Sequence, residues 1–244
     1  MKISSISIIF PIYNEEKRLY RCFDDIKKFN QKNKNLKKEY LFINDGSLDN
    51  SYKIIKRFIE QNKKKNCKYK LINQIKNRGK GYALKIGEKY STYKWALTVD
   101  ADISVSLIQL NNWIKKNYIK KSNIIYFGSR NHKNSRISFK LYRRLFGLIF
   151  NSLINFFLNI NLKDTQCGFK LYPKKLSKKI FKNISDDGFI HDLEIVLLSN
   201  KNYFNIIELP VKWSHVNGSK LNIIIDSIKM FYGIIRLSFK FKTN

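Results

Sequence analysis

Acidic residues are scarce in this chain of 244 residues: 18 Asp and Glu stand against 48 Lys and Arg, a net charge of +30. A balance that one-sided calls for anionic partners, whether nucleic acid, acidic lipid head groups or phosphorylated substrates. The lysines are scattered through 27–38, 53–70 and 115–121 in a chain rich in Lys, Asn and Ile, so compositional bias accounts for part of the excess equally well. Cysteine is also sparse. Cys22, Cys67 and Cys167 form no C-x-x-C pair and leave an odd number, which argues against a disulfide framework or structural zinc and for a reducing, cytosolic setting. No Pro-rich linker, internal repeat or low-complexity tail divides the chain. No cleaved leader is expected, because the apolar stretch Ile6–Ile12 is too short and lacks a small-residue cleavage site. At 43% hydrophobic, the chain has material for one sizeable α/β domain, 1–244.

What is present is an alternation. Short β-rich runs at Ile6–Phe10, Tyr40–Ile43, Tyr69–Ile72, Trp95–Val99 and Ile124–Phe127 are separated by helix-length segments at 15–30, 49–62, 80–91 and 106–118. Strands joined by crossover helices pair in parallel, and ligands of such sheets bind outside the carboxyl ends of the strands. The loops there are Pro11-Ile-Tyr-Asn-Glu-Glu16, Asn44-Asp-Gly-Ser-Leu-Asp49, Asn77-Arg-Gly-Lys-Gly81, Asp100-Ala-Asp102 and Gly128-Ser-Arg130. No G-x-G-x-x-G follows the first strand, so a dinucleotide cofactor is not indicated. Asp45-Gly-Ser47 alone reads equally as a turn and helix cap. Asp100 and Asp102 end an apolar run, spaced to point the same way from an extended chain, and make a candidate hard-cation site.

The second half differs. Residues 137–160 begin basic and become strongly apolar over Leu145–Leu158. A helix of that length spans roughly 21 Å, short of the ~30 Å hydrocarbon core. The segment is therefore either a core helix or one lying in a membrane interface with Lys140, Arg143 and Arg144 near phosphates. Leu221–Lys242 repeats the pattern, with Asp226, Lys229 and Arg236 arguing against a span. These helices read as appendages of one domain.

In this order, the loop motifs together with Asp164-Thr-Gln-Cys-Gly-Phe-Lys170, Val211-Lys-Trp213 and Gly218-Ser-Lys220 resemble inverting glycosyltransferases of the GT-A fold, among them the dolichyl-phosphate β-glucosyltransferases and polyprenyl-phosphate sugar synthases. The resemblance covers almost the whole chain and implies a mostly parallel sheet flanked by helices. It divides the domain into a nucleotide-sugar half (1–130), an acceptor half (131–220) and an amphipathic C-terminal helix (221–244).

By that resemblance, Pro11, Tyr13, Glu15, Ile43, Asp45, Lys80, Asp100, Ala101 and Asp102 bind the nucleotide sugar. Asp100 and Asp102 hold Mg²⁺ or Mn²⁺; where mannosyl relatives carry a Gln, Ser104 stands here, which puts a third protein ligand in question. Arg130, Arg143 and Lys220 hold the acceptor phosphate, with Arg144 as the alternative to Arg143. Asp100, Asp102, Arg130 and Arg143 form the catalytic set. Asp192 and Glu194 fall near the acceptor side or serve as first-turn carboxylates of a helix.

The run Asp164–Lys170 resembles the glucosyl branch most. The implied reaction moves glucose from UDP-glucose to a polyprenyl (dolichyl or undecaprenyl) monophosphate at the cytoplasmic face of an anionic membrane, by a peripheral protein without a transmembrane span. GDP-mannose as donor and extension of a cell-surface glycan are the alternatives. Nucleic acid is not expected as a partner, since no recognised binding module or concentrated basic face is present.

Overall fold

A computed structural model of the chain describes residues 3–62, 67–138, 152–216 and 223–242, the last of these as backbone alone over 223–227 and at 242. Arg143, Arg144, Lys140 and the Gly218–Lys220 motif lie outside the described residues.

The first half alternates as expected: β1 (Ser5–Ile12), α1 (Leu19–Lys32), β2 (Lys37–Asp45), α2 (Ser51–Gln61), β3 (Cys67–Gln74), α3 (Lys80–Tyr90), β4 (Trp95–Thr98), α4 (Ile108–Lys115) and β5 (Ile124–Ser129). β1 pairs in parallel with β2 and β4, and β2 with β3. The strands are apolar almost throughout because the sheet is covered on both faces. Alternate residues divide between two cores: Ile6, Ile8, Phe10, Tyr40 and Phe42 pack on one side, and Ile9, Leu41 and Ile43 on the other. Each such burial stabilises by about 1.5–3 kcal/mol. Leu19, Cys22, Phe23, Ile26 and Phe29 form the inward stripe of α1 at helical spacing. From the same helix, Asp25 caps α4, its Oδ2 accepting the Leu107 N–H at 2.6 Å and its Oδ1 the Ser106 hydroxyl at 2.5 Å.

The second half is more than appended helices. It comprises β6 (Arg136–Ser138), a helix α5 over 152–158, β7 (Lys170–Pro173), α6 (Lys174–Asn183), α7 (His191–Lys201), β8 (Asn205–Pro210), β9 (Lys212–Ser214) and α8 (Ile223–Lys242). The seven-stranded order is β3-β2-β1-β4-β7-β5-β8, with β6 and β9 as a separate pair. β4 and β5 are therefore not neighbours: β7 lies antiparallel between them, and β8 pairs in parallel with the far side of β5. The sheet is mostly parallel with one reversed strand near its middle.

α8 answers the two-way reading of the C-terminal run. Ile234 and Leu237 are fully buried, whereas Phe231, Tyr232 and Phe239 are exposed. One face packs on the domain and the other faces solvent. Among the described residues no helix is long and apolar enough to cross a membrane.

Candidate active site

The carboxyl ends of β1, β2 and β4 and the start of α3 enclose a cavity of about 370 Å³. Pro11, Tyr13, Glu15, Asp45, Lys80, Asp100, Ala101 and Asp102, all expected from the sequence, line it. Ile43 does not. Its alternation along β2 turns it into the core beneath, with Ile9, Ala83 and Leu84, where it is fully buried.

Asp45 holds the loop that follows β3. The N–H of Gly79 donates to Asp45 Oδ2 at 2.7 Å, that of Arg78 to Oδ1 at 3.1 Å, and the Asn77 amide to Oδ2 at 3.0 Å. Burial nonetheless keeps the Asp45 carboxyl above its usual range, with those N–H groups opposing the shift. Gly79 is required here. It has φ +113°, and a β-carbon would lie 2.3 Å from the Asp187 carbonyl oxygen. That contact brings Gly188 and Phe189, from the loop before α7, into the cavity wall.

Asp100 and Asp102 do not leave an extended strand. β4 ends at Thr98, the Ile103 N–H donates to the Asp100 carbonyl, and Ile103 takes φ +55°, a conformation unusual for a β-branched residue. The turn still sets both carboxylates on the cavity. Lys80 Nζ lies 2.6 Å from Asp100 Oδ1. Burial would lower the Lys80 pKa, but Asp100 and Asp192 raise it above the ordinary value. Asp102 Oδ1 accepts the Ser104 N–H at 2.9 Å. Burial first, and then the neighbouring Asp100, push the Asp102 carboxyl up. Two half-buried like charges with hard oxygen donors are an environment a divalent cation relieves. Among the described residues no group of three or more His, Cys, Asp or Glu is assembled for a metal, so the pair of aspartates is the donor set at hand.

Arg130 stands apart from the cavity lining. Its Nε donates to Asp164 Oδ2 at 2.7 Å and its Nη2 to Oδ1 at 2.8 Å, a fork on the first residue of the Asp164–Lys170 run. Asp164 is buried. Burial alone would raise its pKa, but Arg130 overrides that and holds the carboxyl below its usual range.

Asp192 and Glu194 lie in the first turn of α7. Asp192 is ion-paired with the buried Lys170, whose Nζ also lies 4.7 Å from the Phe127 ring centre. Glu194 takes Lys240 of α8 at 2.6 Å and the Ser185 and Asp186 N–H groups. Both have structural partners.

Asn77, within the loop singled out from the sequence, lines the cavity, and so do Arg18, Gly188 and Phe189, which the sequence did not mark as site residues. Arg18 carried a signal in its spacing of three from Glu15, an opposite charge one turn away. Gly188 and Phe189 carried none, because a loop more than a hundred residues from Asn77 and Gly79 reaches them only through the topology.

The sequence profile of glycosyl transferase family 2 matches residues 7–181. The chain belongs to that family. It is 35% identical to the dolichyl-phosphate beta-glucosyltransferase of Dictyostelium discoideum over 97% of this chain and 74% of the relative. To the dolichyl-phosphate beta-glucosyltransferase of Saccharomyces cerevisiae it is 31% identical over 92% of this chain and 71% of the relative. Among solved structures, glucosyl-3-phosphoglycerate synthase from Mycobacterium tuberculosis, in complex with Mn²⁺, UDP and glucosyl-3-phosphoglycerate, superposes with a TM-score of 0.61 at 12% identity. That match covers 97% of this chain and 78% of the other and establishes likeness of fold. The family 2 chain is a glycosyltransferase with a GT-A-like, mostly parallel sheet.

Proposed function

We propose that this glycosyltransferase moves glucose from UDP-glucose to a polyprenyl monophosphate of the dolichyl type, inverting the anomeric carbon. The observation that carries the reading is the similarity to dolichyl-phosphate beta-glucosyltransferases, which runs through both halves of the chain. The paired carboxylates at the cavity support it.

Pro11, Tyr13, Glu15 and Asp45 shape the nucleoside end, Asp45 partly through the Asn77–Gly79 loop it fastens. Ala101, the small residue between the aspartates, leaves room for the sugar nucleotide. Asp100 and Asp102 would hold Mg²⁺ or Mn²⁺, which when bound supplies charge neutralisation for the leaving diphosphate. Lys80 keeps a permanent positive charge beside Asp100.

An oxygen of the lipid monophosphate forms the new bond to C1 of glucose while the bond from C1 to the UDP oxygen breaks, and the electron pair leaves on UDP. A phosphate with a second pKa of about 6 is already nucleophilic at neutral pH and needs no strong general base. Rate then comes from in-line positioning and from stabilising the charge that grows on UDP. On the acceptor side, Arg130 offers Nη1, since Nε and Nη2 serve Asp164. Arg143 and Lys220 complete the phosphate contacts in this reading.

The division into a nucleotide half (1–130), an acceptor half (131–220) and a surface helix (221–244) follows from the same assignment. Phe156 is exposed on α5, and along α8 the exposed Tyr232 and Phe239 alternate with exposed Lys229, with Arg236, which pairs with Asp186, and with Lys240, which pairs with Glu194. Apolar rings flanked by cations suit the headgroup layer of an anionic membrane, each well-placed cation contributing about 1 kcal/mol. The protein then works peripherally, on the cytoplasmic face.

The test is UDP release from UDP-glucose. Release that depends on added dolichyl phosphate and leaves glucose in the organic phase supports the assignment; release that requires a sugar hydroxyl as acceptor overturns it.

A further inference from the structure

Arg18 occupies the N-cap of α1, a position that favours Ser, Thr, Asp or Asn and where a cation opposes the helix dipole. Its side chain makes no capping bond, and the first turn of α1 holds no acidic residue. The pairing with Glu15, three residues earlier, is the local gain that offsets the missing cap. It occupies Nε and Nη2 and leaves Nη1 for another partner.

The guanidinium is engaged outside the helix. Nε donates to Glu15 Oε2 at 2.6 Å, Nη2 donates to Glu15 Oε1, and Nη1 lies 3.8 Å from Asp102 Oδ2. The last separation exceeds the 2.7–3.2 Å of an N–H···O bond. Nη1 thus attracts Asp102 without bonding to it and is the edge of the fork left over after Glu15. A second cavity, of about 650 Å³, adjoins the first and is bordered by Lys17, Arg21 and His215 and by the carboxylates of Glu16 and Asp49. Among the described residues, Glu15 and Arg18 alone line both. The side chain is mostly buried, at 14% exposure, so its charge is weakly screened.

We infer that Arg18 is a ligand of the substrate's diphosphate: with two donors it locks Glu15, and with Nη1 it takes a phosphate oxygen at the border of the two cavities. The inference rests on the nucleotide-sugar reading of the smaller cavity. A planar guanidinium can serve a carboxylate on one edge and a phosphate on another, which an ammonium cannot do in the same geometry. A cation held by Asp100 and Asp102 would relieve Arg18 of its pull toward Asp102 and leave that donor to the phosphate.

The experiment is calorimetric titration of the full chain with uridine and with UDP, each with Mn²⁺, on the wild type, Arg18→Gln and Arg18→Lys, with thermal melting as the folding control. Arg18→Gln is expected to weaken UDP about ten-fold more than it weakens uridine, the size of one charge-assisted hydrogen bond. Arg18→Lys, which keeps the charge, should recover part of that difference. Equal weakening of uridine and UDP would reduce Arg18 to a prop for Glu15, and no weakening of either would remove it from the site; both overturn the inference. Guanosine and GDP are run in parallel. A wild type that prefers GDP contradicts the donor while the guanosine–GDP ratio still decides Arg18, and a wild type that binds no nucleoside diphosphate overturns both readings.

Discussion

Gly168 packs directly over the Asp100 carboxylate: a β-carbon at Gly168 would lie 2.3 Å from Asp100 Oδ2 and 2.5 Å from its Cγ. The Gly168 carbonyl also accepts the Thr98 hydroxyl at 2.9 Å, at the end of the strand that leads to Asp100. The Asp164–Lys170 run is thereby the lid that fixes where Asp100 points. Gly168→Ala should displace that carboxylate and lower the transfer rate by about ten- to a hundred-fold, the scale of an ångström misplacement at a reacting centre. Steady-state rates and a melting curve on the same preparation check it; an Ala variant of full activity would show that Asp100 need not hold its position.

Asp102 is costly to the metal-free fold. Burial and then Asp100 raise its carboxyl pKa, so the folded state holds that proton more tightly than the unfolded chain. The stabilising contribution of the protonated form is present below the ordinary value of about 3.9 and is lost as pH rises through the raised folded value. At neutral pH, Asp102→Asn should therefore melt at or above the wild-type temperature while losing transfer by roughly a thousand-fold. Mn²⁺ should raise the melting temperature of the wild type and not of the variant. Scanning calorimetry with and without metal decides this, and a variant that melts several degrees lower contradicts it.

Arg130 and Asp164 respond in the opposite sense. With the Asp164 pKa held down by Arg130 against burial, the pair's stabilisation is present above the ordinary carboxylate pKa and disappears as pH falls through the lowered one. Arg130→Met strands a buried carboxylate and should cost about 3–5 kcal/mol, most of it restored in Arg130→Met/Asp164→Leu. Urea unfolding of both variants measures it. A loss below about 1 kcal/mol in the single variant would mean that Arg130 serves the acceptor alone.

The exposed rings bear on membrane contact. Phe157 of α5 meets Phe231 of α8 with ring centres 6.1 Å apart, so the two helices present one aromatic surface. Changing the outward Phe156 and Tyr232 to Ser should weaken sedimentation with anionic vesicles by about ten-fold and leave folding intact, since neither ring is in the core. Unchanged sedimentation would place the contact elsewhere.

The first half was legible because its strands are apolar runs separated by helix-length amphipathic segments, and the loops at their carboxyl ends hold most of the cavity. Ile43 was misplaced because motif position alone does not give side-chain direction; alternation along β2 does. β7 was missed because four residues that begin with a buried lysine and end in proline carry no periodic signal. Its insertion between β4 and β5 is what brings Gly168 onto Asp100. The Arg130–Asp164 fork is not legible for a related reason: both residues stand within motifs, but only the folded chain pairs them across 34 positions.

The most direct test of the proposed transfer is labelling of organic-extractable dolichyl phosphate, with UDP-glucose and GDP-mannose in parallel and Asp102→Ala beside the wild type. Lipid label from UDP-glucose with Mg²⁺ or Mn²⁺, lost in the variant, is the expected result. Label from GDP-mannose alone, or none in the lipid from either donor, would contradict it.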